Sequence, residues 1–119
     1  MMTQRQRSAK SVFDSVALGN ITSANRLMRS ATWEGMADDD GRVTDRLVEV
    51  YRKLGAGGVG TVVTSVSYVL PEGKGMPGMI SASDDADIPG LSRIADAIHA
   101  GGAKAFLQTA YCGTQSRIG

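Results

Sequence analysis

Hydrophobic residues in this chain follow a helical period in two stretches and form short continuous runs between them. The helical stretches are residues 47–54 and 91–98, where apolar residues recur three or four positions apart. Short strands are predicted at 27–31, 59–64 and 104–109, and the β-branched run at 59–64 is typical of a strand buried on both faces. An N-terminal hairpin turning at Gly19-Asn20 precedes them. The pattern predicts a hairpin followed by strand, helix, strand, helix and strand.

Capping and turn residues mark the ends of both predicted helices. Thr44 is a favourable N-cap, and Asp45 in the first turn complements the helix dipole. The glycines at 55, 57 and 58 are expected to end the first helix. Pro89 suits the first turn of the second helix, and Gly101-Gly102 stops it.

Strand–helix–strand connections imply a parallel sheet with right-handed crossovers, so the predicted fold class is α/β. The carboxyl ends of parallel strands share one edge, and this edge is where α/β scaffolds bind ligands. Small and polar residues lie at the end of each predicted strand here, at 30–32, 65–67 and 108–109. A long loop at 65–87, rich in Gly, Pro and Ser, lies beside them. The sequence thus predicts a ligand site at the strand ends.

Length and composition limit the alternatives. A chain of 119 residues with 42% hydrophobic residues is at most one globular domain, predicted over residues 12–119 after a polar, flexible arm at 1–11. A net charge of +1 and 5% aromatic residues argue against nucleic acid or an anionic membrane as a partner.

The single cysteine, Cys112, rules out an intrachain disulfide and is expected to be a small packed residue. No long apolar run occurs near the N-terminus, so no secretory signal and no membrane span are predicted. A reducing cytoplasm is therefore the expected location. No metal site is predicted.

The segment Gly55-Ala56-Gly57-Gly58-Val59-Gly60 matches the GxGxxG pattern of dinucleotide-binding proteins. That fingerprint needs a strand before it and a helix after it, so that the pyrophosphate meets a helix N-terminus. Here a predicted helix comes first and a strand follows. We interpret the glycines as a tight turn.

Several motifs in order resemble the old yellow enzyme family, the FMN-dependent NADH:flavin oxidoreductases. Residues 18–26 resemble the family's opening hairpin, and residues 41–45 the start of its first barrel helix. Pro71-Glu72-Gly73 matches a family loop, and residues 96–108 match the helix and strand that lead to its flavin-binding glutamine. The likeness extends over residues 12–116.

The resemblance implies a (β/α)8 TIM barrel with FMN at the carboxyl ends of the strands. This chain would supply the N-terminal hairpin and the first three βα units, an incomplete barrel, because a full one needs roughly 250 residues. Thr32 would donate toward the O4 edge of the flavin, and Gln108 would pair with its pyrimidine ring. The implied cofactor-binding residues are Ser30, Ala31, Thr32, Ser65, Val66 and Gln108.

Two departures from the family pattern leave the substrate open. Ser65-Val66 stands where the family often has Glu-Ala or Glu-Gly. Tyr111-Cys112-Gly113-Thr114 stands where it often has His-x-Gly-Arg, so a basic residue is missing. Trp33 and Tyr111 are the candidates for the substrate side, with simple packing as the alternative for each.

The predicted function is therefore hydride transfer from NAD(P)H through FMN to an activated alkene or a related small molecule. The catalytic residues stay unknown, because the family's substrate-binding pair and proton donor are expected in a later part of the barrel, and the chain alone is expected to be inactive. Two alternatives remain: a non-catalytic fragment that acts only in assembly, and a different TIM-barrel enzyme. Homo-oligomer formation is left open.

Overall fold

The computed structural model describes residues 10–116. Within them the chain forms eight short strands and two α-helices. Most of the predicted arm, residues 1–9, lies outside the described residues. In chain order the elements are β1 Val16–Leu18, β2 Ile21–Ser23, β3 Met28–Arg29, α1 Asp45–Ala56, β4 Thr61–Val63, β5 Ser67–Tyr68, β6 Ile80–Ser81, α2 Ile88–Ala100, β7 Lys104–Phe106 and β8 Thr109–Ala110. Short 3₁₀ turns occur at Pro71–Gly73, Asp85–Asp87 and Gly113–Gln115.

The central sheet consists of β3, β4 and β7, all parallel, in the order of the chain. Met28 pairs with Thr61, and Val63 pairs with Phe106. The helix α1 connects β3 to β4, and α2 lies between β4 and β7 in the sequence. The predicted hairpin is the antiparallel pair β1–β2. The α/β class and the order of the main elements are confirmed, and the described residues form no closed barrel.

A second parallel sheet, ordered β6-β5-β8, corrects the prediction of one long loop at 65–87. The strands β5 and β8 resume after β4 and β7 with gaps of three and two residues, so the third predicted strand at 104–109 is also divided. Ser67 pairs with both Ile80 and Thr109. Strands of two residues are too short to show an alternating pattern, which explains why the sequence did not reveal this sheet.

The hydrophobic core lies between the helices and the central sheet. Its buried members are contributed by α1, β4, β6 and α2 together with the turn before β7: Leu47, Tyr51, Val62, Ile80, Ile94, Ala97, Ile98 and Ala103. Gly55 is also buried, and it lies inside α1 instead of ending it, because the helix runs to Ala56 and is capped by Gly57. A Cβ on Gly55 would come within 2.6 Å of the Ile98 carbonyl oxygen. The glycine thus allows the two helices to approach closely.

The turn between α1 and β4 is attached to β3 by Asn25. Its Oδ1 accepts hydrogen bonds from the backbone N–H of Leu27 at 3.0 Å and of Gly60 at 2.8 Å. Its Nδ2 donates to the Gly58 carbonyl at 2.6 Å. The GxGxxG-like segment therefore covers the last two residues of α1 and the turn to β4, so a helix precedes the turn as the sequence predicted, and one amide side chain holds the turn.

Within residues 10–116, neither helix combines the length and the apolar character needed to cross a membrane.

We expect Gly55→Ala to destabilise the protein, although alanine favours a helix over glycine by about 1 kcal/mol. The added methyl group would clash with the backbone of α2 at Ile98, and overpacking of this kind costs roughly 1–3 kcal/mol. Urea unfolding measures the difference. Asp96→Ala, at an exposed position of α2, is the control and should be neutral or slightly stabilising. A Gly55→Ala variant as stable as wild type would contradict the close helix contact.

Candidate functional site

The strands β4 and β7 are both interrupted at the same level, just beyond their carboxyl ends. The Thr64 Oγ1 accepts the backbone N–H of Gln108 at 3.3 Å, so a side chain replaces a carbonyl in the ladder. The ladder then resumes where the Ser67 N–H donates to the Gln108 carbonyl at 2.9 Å. The predicted site residues Ser65, Val66 and Gln108 therefore lie side by side in this interruption.

The segment after β3 is joined to the same edge through Arg29. The guanidinium Nη1 donates to the Val63 carbonyl at 3.1 Å, and Nη2 approaches the Thr32 carbonyl at 3.5 Å. The Thr32 hydroxyl donates to the Ser30 carbonyl at 3.1 Å, a local hydrogen bond within residues 30–32. The structure thus brings together all three segments that the sequence marked.

A buried polar network lies at these strand ends and includes Arg29, Glu34 and Tyr51. Arg29 forms an ion pair with Glu34 at 2.8 Å, and the two side chains are 17% and 7% exposed. The fully buried Tyr51 donates its hydroxyl proton to Glu34 Oε1 at 2.7 Å and accepts the Ser65 backbone N–H at 2.7 Å. The Arg29 guanidinium also lies 5.6 Å from the centre of the Tyr51 ring. One network therefore connects β3, α1 and the end of β4.

Burial keeps the Tyr51 hydroxyl protonated. Loss of solvent raises the pKa of Tyr51 well above its ordinary value, and the hydrogen bond and negative charge of Glu34 raise it further. The hydrogen bond from the Ser65 N–H opposes this shift without cancelling it. Tyr51 is thus a permanent donor to Glu34 near neutral pH.

Several hydrogen-bond donors remain available at this edge. Within residues 10–116, the backbone N–H groups of Ser30, Ala31 and Val66 contact no acceptor. The Gln108 side chain is exposed and makes no hydrogen bond in the same part of the chain. The Ser65 N–H is not available in this way, because it donates to the Tyr51 hydroxyl. Peptide donors beside an amide that both donates and accepts suit the edge of a planar heterocycle that carries carbonyl groups.

The two aromatic residues predicted for the substrate side both contact the segment 71–78. The Trp33 Nε1 donates to the Pro77 carbonyl at 3.1 Å. The Tyr111 ring lies against Gly73, where a Cβ would come within 2.6 Å of it. Cys112 is half-buried and packs its sulfur on Gly75. Trp33 and Tyr111 are each about half exposed, so both still present ring surface to solvent.

A second buried carboxylate, Asp87, has a structural role. It accepts hydrogen bonds from the Ser81 hydroxyl at 2.6 Å and from the backbone N–H groups of Ser83 and Asp84, and it forms an ion pair with Arg42 at 3.1 Å. These contacts attach the segment after β6 to the start of α2. No cluster of three or more candidate metal ligands occurs in the described residues.

Sequence reasoning missed Arg29, Glu34 and Tyr51 as parts of the site. The helical period at 47–54 predicts Tyr51 only as an apolar position on a helix face and gives no role to its hydroxyl. One signal was available, since Arg29 is the only charged residue in the run 27–31. A charge inside a buried strand requires a partner. The partner, Glu34, could not be chosen among the many acidic residues without the fold.

The fold defines a class: a βα segment of a parallel α/β scaffold, with unpaired polar groups at the strand ends of the described residues. Residues 11–118 match the model of the NADH:flavin oxidoreductase / NADH oxidase family. The chain belongs to this family, and the resemblance to old yellow enzymes is confirmed.

Individual relatives agree with this assignment. The chain is 31% identical over 109 residues to an NADH oxidase of Thermoanaerobacter brockii and 30% identical over 108 residues to an NADPH dehydrogenase of Halalkalibacterium halodurans. Among solved structures, a 2-naphthoyl-CoA reductase complex superposes with a TM-score of 0.86 at 33% identity and covers 89% of this chain. A Zymomonas mobilis old yellow enzyme homologue superposes with a TM-score of 0.79 at 25% identity and covers 86% of it.

The chain spans only part of these relatives. It covers 17% of the NADH oxidase, 32% of the NADPH dehydrogenase and 16% of the 2-naphthoyl-CoA reductase chain. It covers 28% of the Zymomonas mobilis protein. The matched region is the beginning of a TIM barrel, which confirms the predicted fold class.

We expect the stabilising contribution of the Tyr51 hydroxyl to decline at alkaline pH. Because the pKa of Tyr51 is raised in the folded protein, the contribution is complete below the unfolded value of about 10 and falls by about 1.4 kcal/mol per pH unit above it. The decline continues until the pH reaches the folded value. Urea unfolding of wild type and Tyr51→Phe at several pH values measures this. The difference in unfolding free energy between the two should be constant up to pH 9 and shrink toward pH 11.5, and a constant difference throughout would contradict the burial of the hydroxyl.

Proposed function

We propose that this chain forms the flavin-contacting strand ends of an FMN-dependent oxidoreductase that uses NAD(P)H. The observation that carries the proposal is the interruption of β4 and β7 at the same level. It leaves the side-chain amide of Gln108 and the backbone N–H of Val66 without partners in the described residues. Membership of the NADH:flavin oxidoreductase family supports FMN as the ligand.

The residues at the strand ends fit the polar edge of a flavin. The Gln108 amide supplies one acceptor and two donors for a pyrimidine edge that alternates the two. The N–H groups of Ser30 and Ala31 are further donors on the neighbouring strand end, where the Thr32 hydroxyl, which donates its proton to the Ser30 carbonyl, can act as an acceptor. Bound FMN would supply hydride transfer, and donors near its carbonyl oxygens would stabilise the reduced, anionic ring. We assign Ser30, Ala31, Thr32, Val66 and Gln108 to contacts with the flavin edge, and Ser65, whose N–H and carbonyl have protein partners, to the backbone that presents the Val66 N–H.

The reductant and substrate follow from the family at a coarse level. The names of two relatives specify NADH and NADPH, which supports a nicotinamide reductant. One structural neighbour is a reductase of 2-naphthoyl-CoA, in which carbon–carbon double bonds are conjugated to a carbonyl group. We propose an activated alkene or a related small molecule as the hydride acceptor, with Trp33 and Tyr111 on its side of the flavin. We also propose the cytoplasm as the location.

Assembly without catalysis is the second candidate, and the edges of the central sheet favour it. Leu27 and Met28 are exposed at the β3 edge. At the β7 edge an apolar cavity of about 340 Å³ is lined by residues that include Leu91, Phe106 and Leu107. Exposed parallel edges of this kind pair readily with other chains. In this case FMN would leave the strand-end residues unaffected.

We expect Gln108→Leu to weaken FMN binding, because leucine keeps the side-chain volume and removes every donor and acceptor. Loss of one good polar contact should raise the dissociation constant about tenfold. Titration of the ¹⁵N-labelled chain with FMN, followed by amide chemical shifts, detects binding even at millimolar affinity. Shifts should concentrate at residues 30–32, 65–66 and 108.

Lys104→Leu is the matched control, since Lys104 is exposed at the opposite end of β7 and makes the same change from polar to leucine. It should leave FMN affinity unchanged. If wild type shows no shifts at the strand ends up to the solubility limit of FMN, the flavin assignment fails and assembly becomes the favoured reading. Equal affinity in wild type and Gln108→Leu would remove Gln108 from the site.

A further inference from the structure

The Tyr51 hydroxyl lies between a carboxylate and a peptide group of the candidate site. It donates to Glu34 and accepts from the Ser65 N–H, both at 2.7 Å. These two hydrogen bonds fix the orientation of the hydroxyl. The Ser65 N–H therefore donates to a hydroxyl whose own orientation is fixed by Glu34.

Fixing one N–H fixes the whole peptide plane. In a trans peptide the carbonyl and N–H point in opposite directions, so the Thr64 carbonyl faces away from Tyr51. The Ser65 carbonyl is also engaged, since the Thr64 hydroxyl donates to it at 3.1 Å. The N–H and the carbonyl of Ser65 thus both have protein partners. In the described residues, the N–H of this segment that has no partner is that of Val66.

Arg29 and Glu34 connect this arrangement to the neighbouring strand end. The Arg29 guanidinium contacts carbonyls of both Val63 and Thr32 while it neutralises Glu34. The network is buried and has no net charge, so it adds rigidity without placing an unpaired charge beneath the site. It contacts the carbonyls of Val63 and Thr32 and the N–H of Ser65, and it does not use the N–H groups of Ser30, Ala31 and Val66.

We propose that Arg29, Glu34 and Tyr51 are positioning residues that hold the Ser65 peptide before Val66 and the segment 30–32 in place for contact with a flavin ring. The inference rests on the proposed function, because it assigns the network a task only if FMN binds at these strand ends. None of the three residues needs to touch the flavin. The side chains act through the backbone groups that they hold.

The test compares Tyr51→Phe with Tyr68→Phe in the FMN titration described above. Both substitutions remove one buried tyrosine hydroxyl and keep the ring, and the Tyr68 hydroxyl donates to the Asp40 carbonyl at 3.2 Å in a distant loop. We expect Tyr51→Phe to raise the FMN dissociation constant at least about fivefold, and Tyr68→Phe less than about twofold. Under native conditions, hydrogen exchange at the Ser65 amide should accelerate in Tyr51→Phe alone.

The outcomes separate this inference from the proposed function. If wild type shows no strand-end shifts with FMN, the proposed function fails. If wild type binds and Tyr51→Phe binds equally well, the positioning inference fails while the flavin site stands. Equal weakening by both tyrosine variants would indicate a general loss of stability and would also overturn the inference.

A measurement on wild type covers the case in which Tyr51→Phe does not fold. The Tyr51 hydroxyl proton should exchange slowly enough to be observed by NMR, with a nuclear Overhauser contact to the Ser65 amide. Both resonances should shift when FMN is added. Shifts at Gln108 with no change at the hydroxyl or at Ser65 would show that FMN binds independently of the network, which overturns the proposal.

Discussion

Parallel pairing of β3, β4 and β7 is the constraint on which the candidate site depends. Two parallel strands require a crossover connection, and here α1 and α2 lie on one face of the sheet. All three strands therefore end at the same edge. The close approach of the helices at Gly55 allows both to cover the sheet at once, so helix packing and the position of the strand ends are linked.

Interruption of the ladder makes this edge a candidate site. A continuous sheet would use its peptide groups for pairing between strands. Between β4 and β5, and between β7 and β8, the pairing stops for a few residues, and Thr64 replaces one carbonyl with its hydroxyl oxygen. Beyond this gap, β5 and β8 pair again in the second sheet. The gap is thus bounded by hydrogen-bonded structure on both sides, which keeps its free donors in defined places.

The buried network shows how charge is used to join segments far apart in sequence. Arg29 and Glu34 are close in the chain, and Tyr51 and Ser65 are 14 residues apart. A lone carboxylate or guanidinium in this environment would be costly, and each is paired and hydrogen-bonded. The same logic applies at Asp87, where Arg42 and three donors satisfy a buried carboxylate. The two clusters attach different loops to the common core.

The sequence by itself determined the α/β class, the two helices, the parallel strands and the family, because helical periodicity, caps and motifs in order are local signals. It also marked the strand-end residues such as Gln108. Only the tertiary structure decided that Gly55 lies inside a helix contact, that residues 65–87 contain two further strands, and that Tyr51 binds Glu34 and Ser65. Each of these depends on partners from distant segments, and the direction of a side chain and the choice of its partner are not encoded in local spacing.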